Sequence, residues 1–356
     1  MPFLFFRKLR PVCPCAQFFI SFERYRQMIF VECIYPGYAR RLRQLALQLC
    51  VAVGVWLSCV CPAVAQYDPA FVHYWELEPQ YNPAAVGRSP QLSLNMAYQA
   101  HATGFEDAGS TMYAGADIAL QLGRTRHGLG AVFQNDEIGL FSHKRFSLQY
   151  AYHFKLWGGQ LSVGAEADML AEGIDGGKAD VGESGDPAIP TSQVDGARFD
   201  ASVGLWYAHG PWYAGVAMQH VTMPTVNVGE QWEVEVPALY NFTAGYNIKT
   251  KSPFLKIVPS VMLRYQGVDF RADLTARVVY THQKLQLTCA AGYTPNRAVM
   301  LQVGGTLHGV KLSYAYEANV AGMGMSSGNH ELCVSYRMEI DLGKKGKNKH
   351  QSVRFL

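Results

Sequence analysis

Beyond its N-terminus this 356-residue chain has no apolar run long enough to cross a membrane as a helix, which excludes a bundle of transmembrane helices. Charge is scarce, at 17% of residues, and unevenly placed. Of 31 basic and 28 acidic residues, 8 and 2 fall within the first 65 positions, so the remainder holds 23 against 26 and is slightly acidic. No basic surface of the kind that binds nucleic acid comes from that balance. Cysteine is nearly missing too. Six of the eight, Cys13, Cys15, Cys33, Cys50, Cys59 and Cys61, precede residue 66, leaving only Cys289 and Cys333. Two cysteines cannot build a disulfide-rich scaffold, and Cys13-Pro14-Cys15 and Cys59-Val60-Cys61 are too closely spaced for a zinc site.

What the chain has instead is glycine (34 residues), tyrosine (20 residues) and alternation. In the last strand-like run, residues 329–340, Leu332, Val334, Tyr336, Met338 and Ile340 share one face at period two. Glu331, Cys333, Ser335, Arg337 and Glu339 share the other. Runs of similar length and alternation recur at 91–100, 111–121, 127–135, 144–155, 160–170, 197–207, 212–220, 239–248, 255–266, 269–281, 284–293, 298–307 and 310–319. With the last they make 14, an even number, as a bacterial outer-membrane barrel requires. The links sort by length, except for two short outer ones near Gly267 and Pro295. Those at 101–110, 136–143, 171–196, 221–238 and 320–328 fall on one side, and the short ones at 122–126, 156–159, 208–211, 282–283 and 308–309 on the other. Long outer loops over short periplasmic turns are the habit of such barrels.

The expected fold is therefore all-β: a transmembrane up-and-down antiparallel β-barrel of about 14 strands in the outer membrane. Its faces are well determined, because a one-residue slip reverses every side chain. Phe146, Leu148, Tyr150 and Tyr152 face lipid while Ser147, Gln149 and His153 face inward; likewise Phe270 and Leu274 face out, Arg271, Asp273 and Arg277 in. An Arg turned to lipid at the midplane costs about 2–4 kcal/mol. The same register sends Cys289 outward and Cys333 inward, so no disulfide joins them.

Residues 40–65 read as a secretory signal: Arg40, Arg41 and Arg43, an apolar stretch from Leu45 to Val60, Pro62, then Ala63-Val64-Ala65. Cleavage after Ala65 starts the mature chain at Gln66. Residues 1–39 show no periodic face and read as an upstream extension ahead of the true start. Residues 66–90, rich in aromatics and proline, read as an ordered segment that begins on the periplasmic side and packs at that mouth or as a plug inside. The barrel takes 91–341, and 342–356 form a basic tail with Lys344, Lys345, Lys347 and Lys349.

No catalytic residue, cofactor or metal site is expected. Gly324-Met325-Ser326-Ser327-Gly328 matches G-x-S-x-G, but a strand follows it where a nucleophile elbow needs a helix. Asp175, Asp180, Glu183, Asp186 and Asp195 follow no calcium-loop spacing. Inward charges such as Asp117, Glu166, Asp168, Arg198, Asp200, Glu317 and Arg337 alternate in sign rather than cluster, and with inward Trp206 and Met300 they point to a filled lumen.

Several motifs carry a family resemblance: Tyr81-Asn82-Pro83-Ala84-Ala85-Val86-Gly87, Gly128-Leu129-Gly130, Gln160-Leu161-Ser162-Val163-Gly164, Phe199 to Gly204, Tyr213 to His220, Leu312 to Tyr316, and Gly328-Asn329-His330-Glu331-Leu332. In their order and spacing the chain resembles the PorP/SprF family of outer-membrane proteins associated with the type IX secretion system, over about residues 66 to 340. It departs at Gln99-Ala100-His101 and at Tyr316-Glu317. The resemblance implies a non-enzymatic role in secretion or surface anchoring of exported proteins. The implied partners are secretion components in the periplasm and outer membrane, an exported client at the surface, and the lipid bilayer. Tyr81, Asn82 and Pro83 are the expected periplasmic contacts, and Met323, Met325, His330 and Glu331 the expected client contacts. A general or selective pore for small solutes is the alternative.

Overall fold

Period-two alternation becomes a closed sheet. A computed structural model describes residues 67–339 apart from 104–107, 124, 179–191, 230–231, 268, 284 and 321–327. The upstream extension, the signal and the basic tail lie outside the described residues, as do Met323, Met325 and the G-x-S-x-G serine. Strands β1 (Leu92–Ala100), β2 (Ser110–Leu122), β3 (Thr125–Ile138), β4 (Phe141–Leu156), β5 (Gly159–Asp175), β6 (Gln193–His209) and β7 (Trp212–Gln219) follow one another around the wall. After a small hairpin of β8 (Thr225–Val228) and β9 (Trp232–Glu235) comes β10 (Leu239–Tyr246), flanked by the two-residue β11 (Ile248–Lys249). The wall continues through β12 (Leu255–Gln266), β13 (Asp269–His282), β14 (Leu285–Thr294), β15 (Ala298–Leu307), β16 (Val310–Asn319) and β17 (Gly328–Met338).

Each of these wall strands is antiparallel to its neighbours, β7 pairs with β10, β10 with β12, and β17 returns to β1. Setting aside β8, β9 and β11, the wall is a closed up-and-down barrel of 14 strands, the predicted number. Their bounds agree with the sequence pattern to within a few residues, with two exceptions. Strands β5 and β6 run on to Asp175 and back from Gln193, well into the expected loop 171–196. The expected loop 136–143 is a tight turn at Gly139 and Leu140, because β3 and β4 stay paired to Ile138 opposite Phe141.

The two rims differ. At one, Trp157 and Gly158 both take positive φ (47° and 76°), as do His308 and Gly309 (53° and 86°). Those are the angles of the two-residue turns whose twist suits a hairpin. The other rim carries the longer links and the β8–β9 hairpin. The short-turn rim is periplasmic by the rule for such barrels. The outer wall is apolar: Leu148 is 71% exposed, and Met96, Phe199, Phe270 and Leu301 stand out beside it. Exposed aromatics stand toward both rims, with Trp157, Trp212, Tyr246, Phe254 and Tyr280 at the short-turn rim and Tyr98, Tyr240, Tyr265, Phe270 and Tyr293 toward the other. Cys289 is exposed on the outside and Cys333 buried within, both free.

Leu148→Arg places a cation on the lipid face of a long strand. It is expected to cost about 2–4 kcal/mol and to lower the yield of barrel that resists unfolding in cold detergent gels. An unchanged yield would contradict the face assignment.

Candidate functional site

The lumen is occupied by the chain's own N-terminal segment, residues 67–88, and the geometry of that plug is what any function must work through. Phe71, Val72, Tyr74, Leu77, Tyr81, Ala84 and Val86 are all buried. The segment enters at the long-link rim, dips toward the middle, returns, and then descends to β1 at the short-turn rim. Tyr67 is packed beside Leu170, Ile174, Val226, Val228 and Val236, so the β8–β9 hairpin closes over it. This corrects the expectation that the segment begins on the periplasmic side: its first described residues sit at the far rim.

Polar anchors tie the upper part to the wall. Tyr67 Oη donates to Glu172 and lies 2.7 Å from His143 Nδ1. Asp68 accepts from Gln266 Nε2 at 3.1 Å and from His220 Nε2 at 3.0 Å, while His220 Nδ1 meets Asp200 at 2.6 Å. Arg264 donates to the Pro69 and Asp68 carbonyls, each at 3.1 Å. Glu331 accepts from Val72 N at 2.6 Å, from His73 N at 3.1 Å, and from the His73 ring. Lower down, Glu76 pairs with Lys311 at 2.5 Å. Each anchor offsets the desolvation that burying a polar group would otherwise cost.

The descending part is seated differently. Asn82 is extended (φ −153°, ψ 111°), as the residue before a proline prefers, and its Oδ1 accepts from Ala84 N at 2.9 Å to cap the short helix Pro83–Ala85. Its Nδ2 donates to the carbonyls of Leu205 (3.0 Å) and Val216 (3.2 Å). Gln149 donates to Pro79 O at 2.7 Å, His153 Nε2 to Val86 O at 2.9 Å, and Gly87 N to Asp117 at 3.0 Å. Three glycines make room. A Cβ on Gly204 would stand well inside 3.0 Å of Asn82 Oδ1, one on Gly164 inside 3.0 Å of Ala84 N, and one on Gly128 inside 3.0 Å of Val86 O. Below them Arg88 pairs with Glu78 and stacks 4.0 Å over the Trp206 ring.

The candidate contacts therefore divide. Tyr81 and Asn82 (each 3% exposed), Pro83 and Glu331 (1%) are brought together in one role, holding the plug within the lumen. His330 is apart from them, half-buried and bonded to Tyr314 Oη at 2.5 Å. Sequence reasoning missed Gly128, Gly164 and Gly204 as a functional set. The signal was present, since glycine inside a strand weakens it and marks a close approach of another backbone. Among the described residues no group of three His, Cys, Asp or Glu could hold a metal ion.

The upper anchor titrates. Burial alone would lower the His220 imidazole, but Asp68 and Asp200 raise it from 6.5 to about 9. Burial alone would raise the Asp68 carboxyl, but His220 holds it well below its ordinary 3.8. A raised imidazole stabilises fully below its unfolded value and loses that contribution as pH climbs through its folded value; a depressed carboxylate stabilises fully above its unfolded value and loses it as pH falls through its folded value. The thermal midpoint of the folded barrel is thus expected to be higher near about pH 6 than near about pH 10, with His220→Gln flattening the difference. Equal midpoints in the unaltered protein would contradict the anchor. Separately, Gly164→Val is expected to unseat residues 82–87 and expose them to protease while the wall still forms. Unchanged protection would contradict the seat.

The family model described as type IX secretion system membrane protein PorP/SprF matches residues 63–336. No curated protein matches. Among solved structures, the CymD monoaromatic hydrocarbon channel is 12% identical over 73% of this chain and 92% of its own, with a TM-score of 0.47. The toluene transporter TbuX of Ralstonia pickettii shows 12% identity, 73% and 92% coverage and a TM-score of 0.47. A FadL homologue of Pseudomonas aeruginosa shows 10% identity, 72% and 92% coverage and a TM-score of 0.44. With its family matched from residue 63 to residue 336, the chain belongs to the PorP/SprF family of type IX secretion system membrane proteins, and is a non-enzymatic barrel of the outer membrane.

Proposed function

We propose that this protein serves type IX secretion as a plugged barrel, taking part in the secretion or surface anchoring of exported proteins and contacting periplasmic machinery. The observation that carries the reading is the anchored plug. A pore needs a passage, and residues 67–88 lie across this one, bonded to strands on opposite sides of the wall, from Gln149 on β4 to Ser260 on β12 and Glu331 on β17. Family membership supports the secretion setting. In this reading the client docks at the outer rim, where the link 320–327 carries Met323 and Met325 and leads to His330. Tyr81, Asn82, Pro83 and Glu331 act from beneath by keeping the plug in place. Export depends on a signal cleaved after Ala65.

One observation favours the alternative, a pore for small solutes with the segment as its hatch. Wall and plug meet largely through polar groups, and Arg145 Nε and Nη1 and Gln149 Oε1 are buried with no hydrogen-bond partner among the described residues. Such an interface admits water once the segment shifts. Membership in a family of membrane barrels is also compatible with that transport role.

Deleting the gene and measuring, by mass spectrometry, how exported proteins divide between cell surface and medium tests the two readings together with solute uptake. Secretion predicts a changed division with uptake unaltered. An unchanged division with reduced uptake would replace it with the pore.

A further inference from the structure

At the short-turn rim the inner faces of β2–β5 border a cavity of about 480 Å³, lined by Gln121, Thr125, Arg126, His153, Lys155 and Gln160 among others. Register sets Arg126 opposite Gln121 on one side and His153 on the other, and Lys155 opposite Gln160. The His153 ring is already engaged: Nε2 donates to Val86 O and Nδ1 accepts from Ser162 Oγ at 2.6 Å. Arg126 uses Nη1 on the Arg88 carbonyl at 2.9 Å. Neither Arg126 nor Lys155 forms an ion pair among the described residues; elsewhere in the lumen Arg271, Arg88 and Lys311 each meet a carboxylate, and Arg145 and Arg264 donate to plug carbonyls. The carboxylates at this end do not supply the missing charge. Glu78 is paired with Arg88, and Asp117 accepts the Gly87 N–H.

We infer that this cavity receives an acidic, extended peptide segment of a periplasmic protein, two of its carboxylates meeting Arg126 and Lys155. The two cations are diagonal neighbours on adjacent strands, about 7–8 Å apart at the backbone. Side chains two apart in an extended peptide are spaced by about 6.6 Å on one face, which suits that separation. Gln121, Gln160 and Thr125 provide donors and acceptors for the peptide backbone between them. A phospholipid headgroup is disfavoured because Gln121, Arg126, Lys155 and Gln160 share the lumenal face of the wall, turned from the bilayer. The inference deepens the periplasmic contact in the proposed function and rests on it.

The test uses the full-length barrel in nanodiscs and a fluorescent peptide of alternating Glu and Ser. The unaltered protein is expected to bind it in a salt-sensitive manner. Arg126→Gln with Lys155→Gln is expected to weaken binding about tenfold or more, as the loss of two charge-assisted contacts implies. Lys249→Gln with Lys251→Gln, which removes the same charge from exposed positions by β10–β12, on another part of the wall, is expected to leave binding unchanged. Equal binding by the Arg126 and Lys155 variant would overturn the inference. So would displacement of the peptide by inorganic phosphate at equal concentration, or by phosphatidylglycerol vesicles. If the peptide fails to bind while gene deletion still misplaces exported proteins, this inference falls alone and the secretion reading stands.

Discussion

Nine residue pairs join β1 to β17, from Leu92 opposite Met338 to Ala100 opposite His330. In hydrocarbon an unpaired backbone group costs several kcal/mol, so a sheet can cross the membrane only if its two edges find each other. Closure then dictates the rest. One face of every strand turns to lipid and must be apolar, and the other turns inward and is polar. Eight strands enclose a space that wall side chains can fill, but a 14-stranded cylinder is wider. Here the filling is the chain itself, which arrives with its own aromatics and with backbone groups for the inward Gln149, His153, Asn241 and Arg264 to bind.

Wall and plug are complementary down to single atoms. The helix cap at Asn82, which is local chemistry, also presents Nδ2 to two wall carbonyls, which is tertiary. The glycines that receive this stretch weaken their own strands so that two backbones can meet.

Much of this was legible beforehand, and for a definite reason. Burial of one face forces alternation, and alternation over ten residues is visible without any tertiary knowledge. Leu148, Arg271, Cys289 and Cys333 all stand on the faces that period two assigns them. The extended state of Asn82 before Pro83 is similarly local. What was not legible depends on distant partners. Strands β5 and β6 outrun their apolar pattern where Leu170 and Ile174 pack on Val226 and Val228 of the hairpin, so lipid on the outer face no longer dictates the alternation. The far-rim position of Tyr67 depends on His143, Glu172 and Gln266, none near it in sequence. Period two put Glu331 on the inward face and the resemblance made it a client contact, and only the plug backbone explains its burial.

The proposed function rests on that occupancy. In that reading a lumen crossed by its own chain separates two surfaces, an outer rim of long links and a periplasmic rim of short turns, and offers no constant route between them. Planar-bilayer conductance tests this most directly. The unaltered protein should insert without steady channels, and the same barrel lacking residues 67–88 should conduct if it still closes. Large, steady conductance from the unaltered protein would contradict the account.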